Sequence, residues 1–247
     1  MNTIYNEDCL GEKGLRILPD NSIDMVLTDL PYGTTRNQWD SILPLAKLFT
    51  EYKRITKPNA AIVLFGQGMF TCELMLIGHD IWRYNLIWDK VIPSGHLNAK
   101  RMPMRSHEDI LLFYKSPPIY NPQKTKGKKN HSIGKTPSKV LNNYGEHERV
   151  DNKDELGDLK YPVSILKFPK PHASTIIHPT QKPVELCEYL IKTYTNENAV
   201  VLDNCIGSGT TAVASINTRR LYIGWEWNPQ DPTKYYNLAV TRLQSLS

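Results

Sequence analysis

The sequence predicts an α/β fold: a mainly parallel, twisted sheet with helices on both faces. Three observations carry this expectation. Short apolar runs of strand length alternate with segments of helical spacing along most of the chain. Two late runs end in acids, Asp203 and Glu226, on either side of a glycine loop and a helix-like segment. A chain of 247 residues with 40% hydrophobic content is enough for one well-buried domain and tight for two.

The elements follow in order. Thr3–Tyr5 is short and β-prone, and a polar turn with Asp8 succeeds it. The apolar run Ser22–Asp29 predicts a buried strand that stops at Leu30-Pro31-Tyr32-Gly33, where proline and glycine prevent regular continuation. Ile42–Thr56 has helical spacing and ends before Pro58. Ala60–Phe65 predicts a second buried strand, Phe70–Ile77 a helix, and Trp82–Trp88 and Glu108–Tyr114 two further strands. A long stretch at about 116–161 is rich in Lys, Asn, Gly, Pro and Ser, as functional or disordered loops are. Regular pattern returns at Val163–Phe168, and a helix is expected from Pro183, with proline in its first position. Strand Ala199–Asp203, a helix through Ala212–Ile216, strand Leu221–Glu226 and a final helix to Leu243 complete the order, and no internal repeat interrupts it. The reading is one domain over 1–247 with an insertion at about 116–161.

Composition narrows the function classes. With 22% charged residues and no apolar run of bilayer length, the chain reads as an ordinary globular protein, and the cytoplasm is the expected location. The first residues lack the basic flank and apolar stretch of a signal peptide. Cys9, Cys72, Cys187 and Cys205 form no C-x-x-C pair and lie near no His at zinc spacing. Buried free thiols and no metal are expected. The net charge of +5 is mild, but its distribution is uneven: no acid occurs from Ser116 to Gly145, whereas Lys124, Lys126, Lys128, Lys129, Lys135 and Lys139 crowd together. With Tyr120, His131 and Tyr144 between and around them, these lysines suit phosphate contact and local stacking on a nucleic acid. A solvated surface loop is the rival reading for any single lysine. Arg101, Arg105 and His107 suit either a nucleic-acid backbone or a structural role.

The segment AVVLDNCIGSGTTAVAS has the layout of a nucleotide-type site: strand, terminal acid Asp203, then Gly207-Ser208-Gly209 and a helix. Glycines permit a tight turn and close approach of a ligand, and Glu226 stands where an acid typically binds ribose hydroxyls. A plain strand-to-helix turn explains the glycines but not the two strand-end acids. No G-x-x-x-x-G-K-[ST] occurs, and Thr210-Thr211-Ala212 breaks the G-x-G-x-x-G pattern of nicotinamide sites, so an adenosyl ligand without phosphate fits best. Asp29 and the Leu30 carbonyl offer two acceptors for the hydrogens of an exocyclic amine. Pro31 fixes the direction of Leu30, and Tyr32 offers a π-face to a base. The same four residues also suit a common turn, until they are paired with the glycine loop.

TDLPYG at Thr28–Gly33, LIWDK at Leu86–Lys90, RSHEDILLFYK at Arg105–Lys115, HPTQKP at His178–Pro183 and LDNCIGSGTT at Leu202–Thr211 together resemble the amino-group DNA methyltransferases over nearly the whole chain. The order, catalytic segment before cofactor loop, resembles the circularly permuted beta arrangement of that family. The resemblance implies a Rossmann-like methyltransferase fold and S-adenosyl-L-methionine as methyl donor. It implies duplex DNA as partner with the target base flipped out, and a bacterial or phage restriction–modification setting. A homodimer is a further expectation. It places Asp29, Leu30, Pro31 and Tyr32 at the base, and Asp203, Gly207, Ser208, Gly209, Thr210, Thr211 and Glu226 around the cofactor. Asp8 and Cys9 would face the cofactor adenine, and Thr180, Gln181 and Lys182 its methionine end. His178 is expected to pack or cap rather than catalyse.

Two departures stand out: Leu30 replaces the usual first proline, and Asn204-Cys205 replaces the usual Pro-Phe pair. The family leans to adenine where the motif opens with Asp, so adenine is expected, with the cytosine amine as the alternative and an inactive DNA-binding relative as the other. RNA and protein-glutamine methyltransferases usually carry Asn at the place of Asp29 and put the cofactor loop first, which argues against them.

Overall fold

The computed structural model describes residues 2–33, 40–128, 158–172, 176–178 and 180–245, and the backbone of 139–142 and 145–148. They form two compact units, one made of Met1–Asn121 with Ser164–Ser247 and one of Pro122–Val163.

The first unit is built on an eight-stranded sheet. Its strands are β1 (Thr3–Tyr5), β2 (Ile23–Thr28), β3 (Thr56–Gly66), β4 (Trp82–Ser94), β5 (Arg105–Phe113), β10 (Ile165–Lys167), β11 (Val200–Asp203) and β12 (Leu221–Trp225). They lie in the spatial order β1-β12-β11-β2-β3-β5-β4-β10. The first five of that order are mutually parallel. Strand β5 runs against both β3 and β4, and β10 is parallel to β4. The sheet is therefore mainly parallel, as the alternation of elements predicts.

Period-two patterning assigns the faces. Val26, Ile62, Leu64, Leu111, Phe113 and Leu202 point to one side, where α1 (Leu45–Ile55) and α2 (Met69–Ile77) cover them. Met25, Val63, Phe65, Leu112 and Val201 point to the other, against α3 (Val184–Tyr194) and Ala214 of α4 (Thr210–Asn217). A smaller cluster joins Val213 and Tyr222 to Leu243 of α5 (Lys234–Gln244). Helix α1 meets the sheet through Leu45, Leu48, Phe49, Tyr52 and Ile55, a single stripe at helical spacing.

Several boundaries differ from expectation. Pro44 is the N-cap of α1, so the helix starts three residues later than Ile42. Pro183 likewise caps α3 rather than occupying its first position. Strand β4 runs on past Trp88 to Ser94 because a bulge lets it keep pairing: Asp89 faces His107 and the next paired residue, Ser94, faces Arg105. All four cysteines are free thiols; Cys9 and Cys187 are buried as expected, but Cys205 is half-buried and Cys72 on α2 is exposed.

In the second unit β6 (Thr125–Lys126) pairs antiparallel with β9 (Leu159–Lys160), and β7 (Lys139–Asn142) with β8 (Gly145–Glu148). Lys124, Lys126 and Lys128 are exposed, and the Lys124 ammonium sits 4.2 Å from the Tyr161 ring centroid. Lys129, Lys135, His131 and Tyr144 lie outside the described residues, as does the side chain of Lys139. Residues 116–121 belong to the first unit. There the Asn121 amide donates to the carbonyls of Lys192 and Thr195, at 3.1 and 3.0 Å.

Phe49 is the keystone of the α1 face. Its ring meets Phe113 edge-on at 5.3 Å and Tyr52 at 5.9 Å. Phe49→Ala should lower unfolding free energy by roughly 3–5 kcal/mol, read by urea denaturation. A loss under about 1 kcal/mol would mean that the α1 face does not rest on this contact.

Candidate active site

Parallel pairing brings the two motif-bearing strands together. Strand β11 lies beside β2, with Val201 opposite Met25 and Leu202 opposite Val26, so both strands end at the same sheet edge. From there the chain diverges, β2 leading to β3 on one side and β11 to β12 on the other. A crevice at such a switch point is where open α/β sheets bind ligands. A cavity of about 940 Å³ occupies it, lined by Asp29, Leu30, Pro31 and Tyr32 on one side and by Asp203, Gly207, Ser208, Thr210, Thr211 and Glu226 on the other. Asp8, Cys9, Thr180, Gln181 and Lys182 complete its wall.

Gly209 alone of the expected cofactor residues does not line it. Its backbone is left-handed at φ 78°, and a Cβ there would stand 3.3 Å from that of Ala239 on α5, so it turns the chain into α4 and lets two helices approach. The Arg242 guanidinium of α5 donates to the Ser208 carbonyl at 3.0 Å and to the Thr210 hydroxyl at 3.2 Å, holding the loop from behind.

Asp29 has partners on both oxygens. The Tyr32 hydroxyl donates to Oδ1 at 2.9 Å, and the Lys182 ammonium to Oδ2 at 2.5 Å. The Tyr32 ring stacks on Phe70 with centroids 4.9 Å apart. Lys182 thereby ties the segment before α3 to Asp29 within the cavity. It also contacts Glu108 Oε2 at 3.2 Å, and Glu108 Oε1 receives Lys90 at 2.8 Å.

The four groups form a chain of alternating sign, the two lysines buried and the two acids partly so. Burial opposes the charge on Lys182, but Asp29 and Glu108 outweigh it and hold the ammonium above its usual range. Burial also disfavours ionised Glu108, yet Lys182 and Lys90 keep its carboxyl below the usual range. Asp29 is lifted by burial against the pull of Lys182. Glu108 and Lys90 were missed by sequence reasoning, although LIWDK and EDILLF each set a charge at the end of an apolar strand, which is the signal that could have found them.

The opposite wall is acidic. Burial lifts Asp203 to about 6, and lifts Glu226 to about 7 against the Gly207 N–H that donates to its Oε2 at 2.8 Å. Two buried acids at adjacent strand ends suit a ligand with hydroxyl donors and a positive centre. The departure at Asn204 is internally satisfied: its Oδ1 accepts the Tyr52 hydroxyl, and its amide faces the sulfurs of Cys9 and Cys205 at 3.5 Å. His178 accepts the Thr180 N–H at 3.3 Å and packs edge-on against Tyr235. Burial pushes its pKa down to about 4, so the ring is neutral and serves the turn. Among the described residues no cluster of three or more His, Cys, Asp or Glu could hold a metal ion, and no helix is long and apolar enough to cross a membrane.

Fold and site thus define an α/β protein with a two-sided cavity at a topological switch point. The family described as DNA methylase matches residues 23–234. The chain is 30% identical over 256 residues to the type II methyltransferase M.BglII of Bacillus subtilis, covering 92% of this chain and 65% of that protein. Its fold is similar to that of the M1.HpyAVI–SAM complex (TM-score 0.63, 22% identity, 98% of this chain and 100% of that one). It is likewise similar to the cytosine-N4-specific PvuII DNA methyltransferase (TM-score 0.63, 16% identity, 97% and 85%). The chain belongs to the DNA methylase family, whose members modify amino groups of bases.

The Glu226 carboxyl, lifted from 4.5 to about 7, gives a pH signature. A carboxyl raised on folding costs stability that grows as pH climbs from its unfolded to its folded pKa and is constant above. Glu226→Gln should therefore be more stable than the unmodified protein at pH 8 by roughly 1–3 kcal/mol and equal to it at pH 4.5. Urea titrations at both pH values read this, and a difference that does not change with pH would contradict it.

Proposed function

We propose that this protein transfers a methyl group from S-adenosyl-L-methionine to the exocyclic amine of adenine at a specific site in duplex DNA, acting in the cytoplasm. The observation that carries the reading is the shared cavity: the acceptors at Asp29 and Leu30 and the acid-flanked glycine loop open into one space. The acidic wall fits the group, since the buried carboxylates of Glu226 and Asp203 match ribose hydroxyls and a nearby sulfonium charge. When bound, the cofactor supplies an electrophilic methyl on a positively charged sulfur.

The residues of the chain do the rest. An exocyclic amine is a poor nucleophile because its lone pair is delocalised into the ring. Asp29 and the Leu30 carbonyl, accepting one amine hydrogen each, let the nitrogen turn pyramidal and aim its lone pair across the cavity. Pro31 fixes Leu30 in an extended conformation. Tyr32, already backed by Phe70, offers its face to a flipped base. An entering amine must take the place of the Tyr32 hydroxyl at Oδ1, while Lys182 keeps Oδ2 and steadies the carboxylate. Catalysis is then alignment with preorganised acceptors. We read Pro122–Val163 as the target-recognition element, from its exposed Lys124, Lys126 and Lys128 and from the basic run of the sequence around them, which extends to Lys129, Lys135 and Lys139.

Two measurements test the reading. Tritiated methyl groups should enter mixed-sequence duplex DNA and appear as N6-methyladenine after digestion to nucleosides. Asp29→Ala should cut the rate at least about 10²-fold with the fold intact. No transfer by the unmodified protein would end the enzyme reading, and N4-methylcytosine in the digest would move the target to cytosine. Cofactor affinity should also tighten with pH. A carboxyl with pKa about 7 is roughly one-tenth ionised at pH 6 and mostly ionised at pH 8. Calorimetric Kd values should therefore fall several-fold, up to about tenfold, between those pH values, and a flat profile would remove Glu226 from ribose binding.

A further inference from the structure

The connection between β4 and β5 is the least economical part of the first unit. Leu97, at its tip, is 88% exposed, and Val91 and Ile92 on the bulge are 56% and 61% exposed. Met102 and Met104 on the return limb are exposed too. Exposed apolar side chains gathered on one short hairpin mark an interaction surface more often than scattered ones do.

The bulge is what produces this arrangement. It inserts extra residues between Asp89 and Ser94, turning Lys90 into the cavity, where it is buried against Glu108, and throwing Val91 and Ile92 outward. Val91 adopts φ 62°, a strained conformation for a β-branched residue. Ile92, Ser94, Gly95 and Arg105 lie on the cavity wall, so the hairpin rises from the mouth of the site itself.

Charge points to one kind of partner. Residues 91–107 contain no Asp or Glu, and among them Lys100, Arg101 and Arg105 carry positive charge beside the apolar groups. An acid-free segment with cations interleaved among apolar side chains matches a polyanion whose interior is apolar, which describes a base-paired duplex with an opened stack. A base taken out of its stack leaves an apolar gap, and the hairpin stands where that base would enter the cavity.

We propose that the 91–104 hairpin is a wedge: Leu97, supported by Met102, enters the duplex and fills the space left by the flipped target, while Lys100 and Arg101 hold the flanking phosphates. This deepens the methyltransferase reading and rests on it. Leu97 has no part in the catalytic or cofactor wall, so its replacement leaves the chemistry of the site unaltered.

The test uses the full chain and a duplex carrying the site read by modification-sensitive sequencing of DNA from an expressing host. That duplex is prepared once fully paired and once with the target base mispaired. Leu97→Ala should lose about tenfold or more in kcat/KM on the paired duplex, where the wedge must compensate unstacking, and stay within about twofold on the mispaired one. Equal rates on the paired duplex, or an equal loss on both, would overturn the wedge. A loss that tracks a change in oligomeric state on size-exclusion chromatography would overturn it as well, by assigning the patch to a second copy of the chain. Failure of the unmodified protein to methylate either duplex would instead strike the parent reading, so the two outcomes are separable.

Discussion

The site depends on the parallel pairing of β2 with β11. These strands are about 170 residues apart in the chain, yet their register sets the carboxyl ends side by side at one edge of the sheet. Because β2 continues to β3 in one direction and β11 to β12 in the other, nothing crosses over that edge and a crevice remains. Asp29 and Asp203 then stand at neighbouring strand ends, and the two halves of the cavity follow from that geometry. Reversal of either strand would send one carboxylate to the far edge and leave the other without an opposite wall.

The antiparallel β5 plays a complementary part. Running against β3 and β4, it delivers its start, not its end, to the same edge, so Glu108 arrives beside the ends of β3 and β4. There it receives Lys90 from the β4 bulge and Lys182 from the segment before α3. Four largely enclosed charges of alternating sign cancel one another. Removing any one strands its neighbours in a weakly polarisable setting, where an uncompensated charge is costly. The Asp203–Glu226 wall works otherwise: its acids are held in place by backbone N–H groups and by burial, and their raised pKa values express a preference for a ligand that restores charge.

Some residues around the cavity serve its framework. Gly209 lets α4 pack on α5, and His178 holds a turn. Asn204, a departure from the family pattern, is accommodated because Tyr52 of α1 reaches through the core to bond it. Such compensation is local, and it leaves the cavity wall continuous at that point.

Much of this was legible in the amino-acid order. Short continuous apolar runs bounded by glycine, proline and acids locate the strands, because a strand buried on both faces tolerates little else. The glycine loop and the Asp-Leu-Pro-Tyr segment announce themselves because each is a contiguous set of residues with one conformational purpose. The contacts of Lys182, the roles of Glu108 and Lys90 and the outward turn of Val91 and Ile92 were decided only by tertiary structure. Each arises from register between strands distant in sequence or from a bulge that shifts it. A charge at the end of an apolar run has no partner until the neighbouring strand supplies one, and which strand that is depends on the order of the whole sheet.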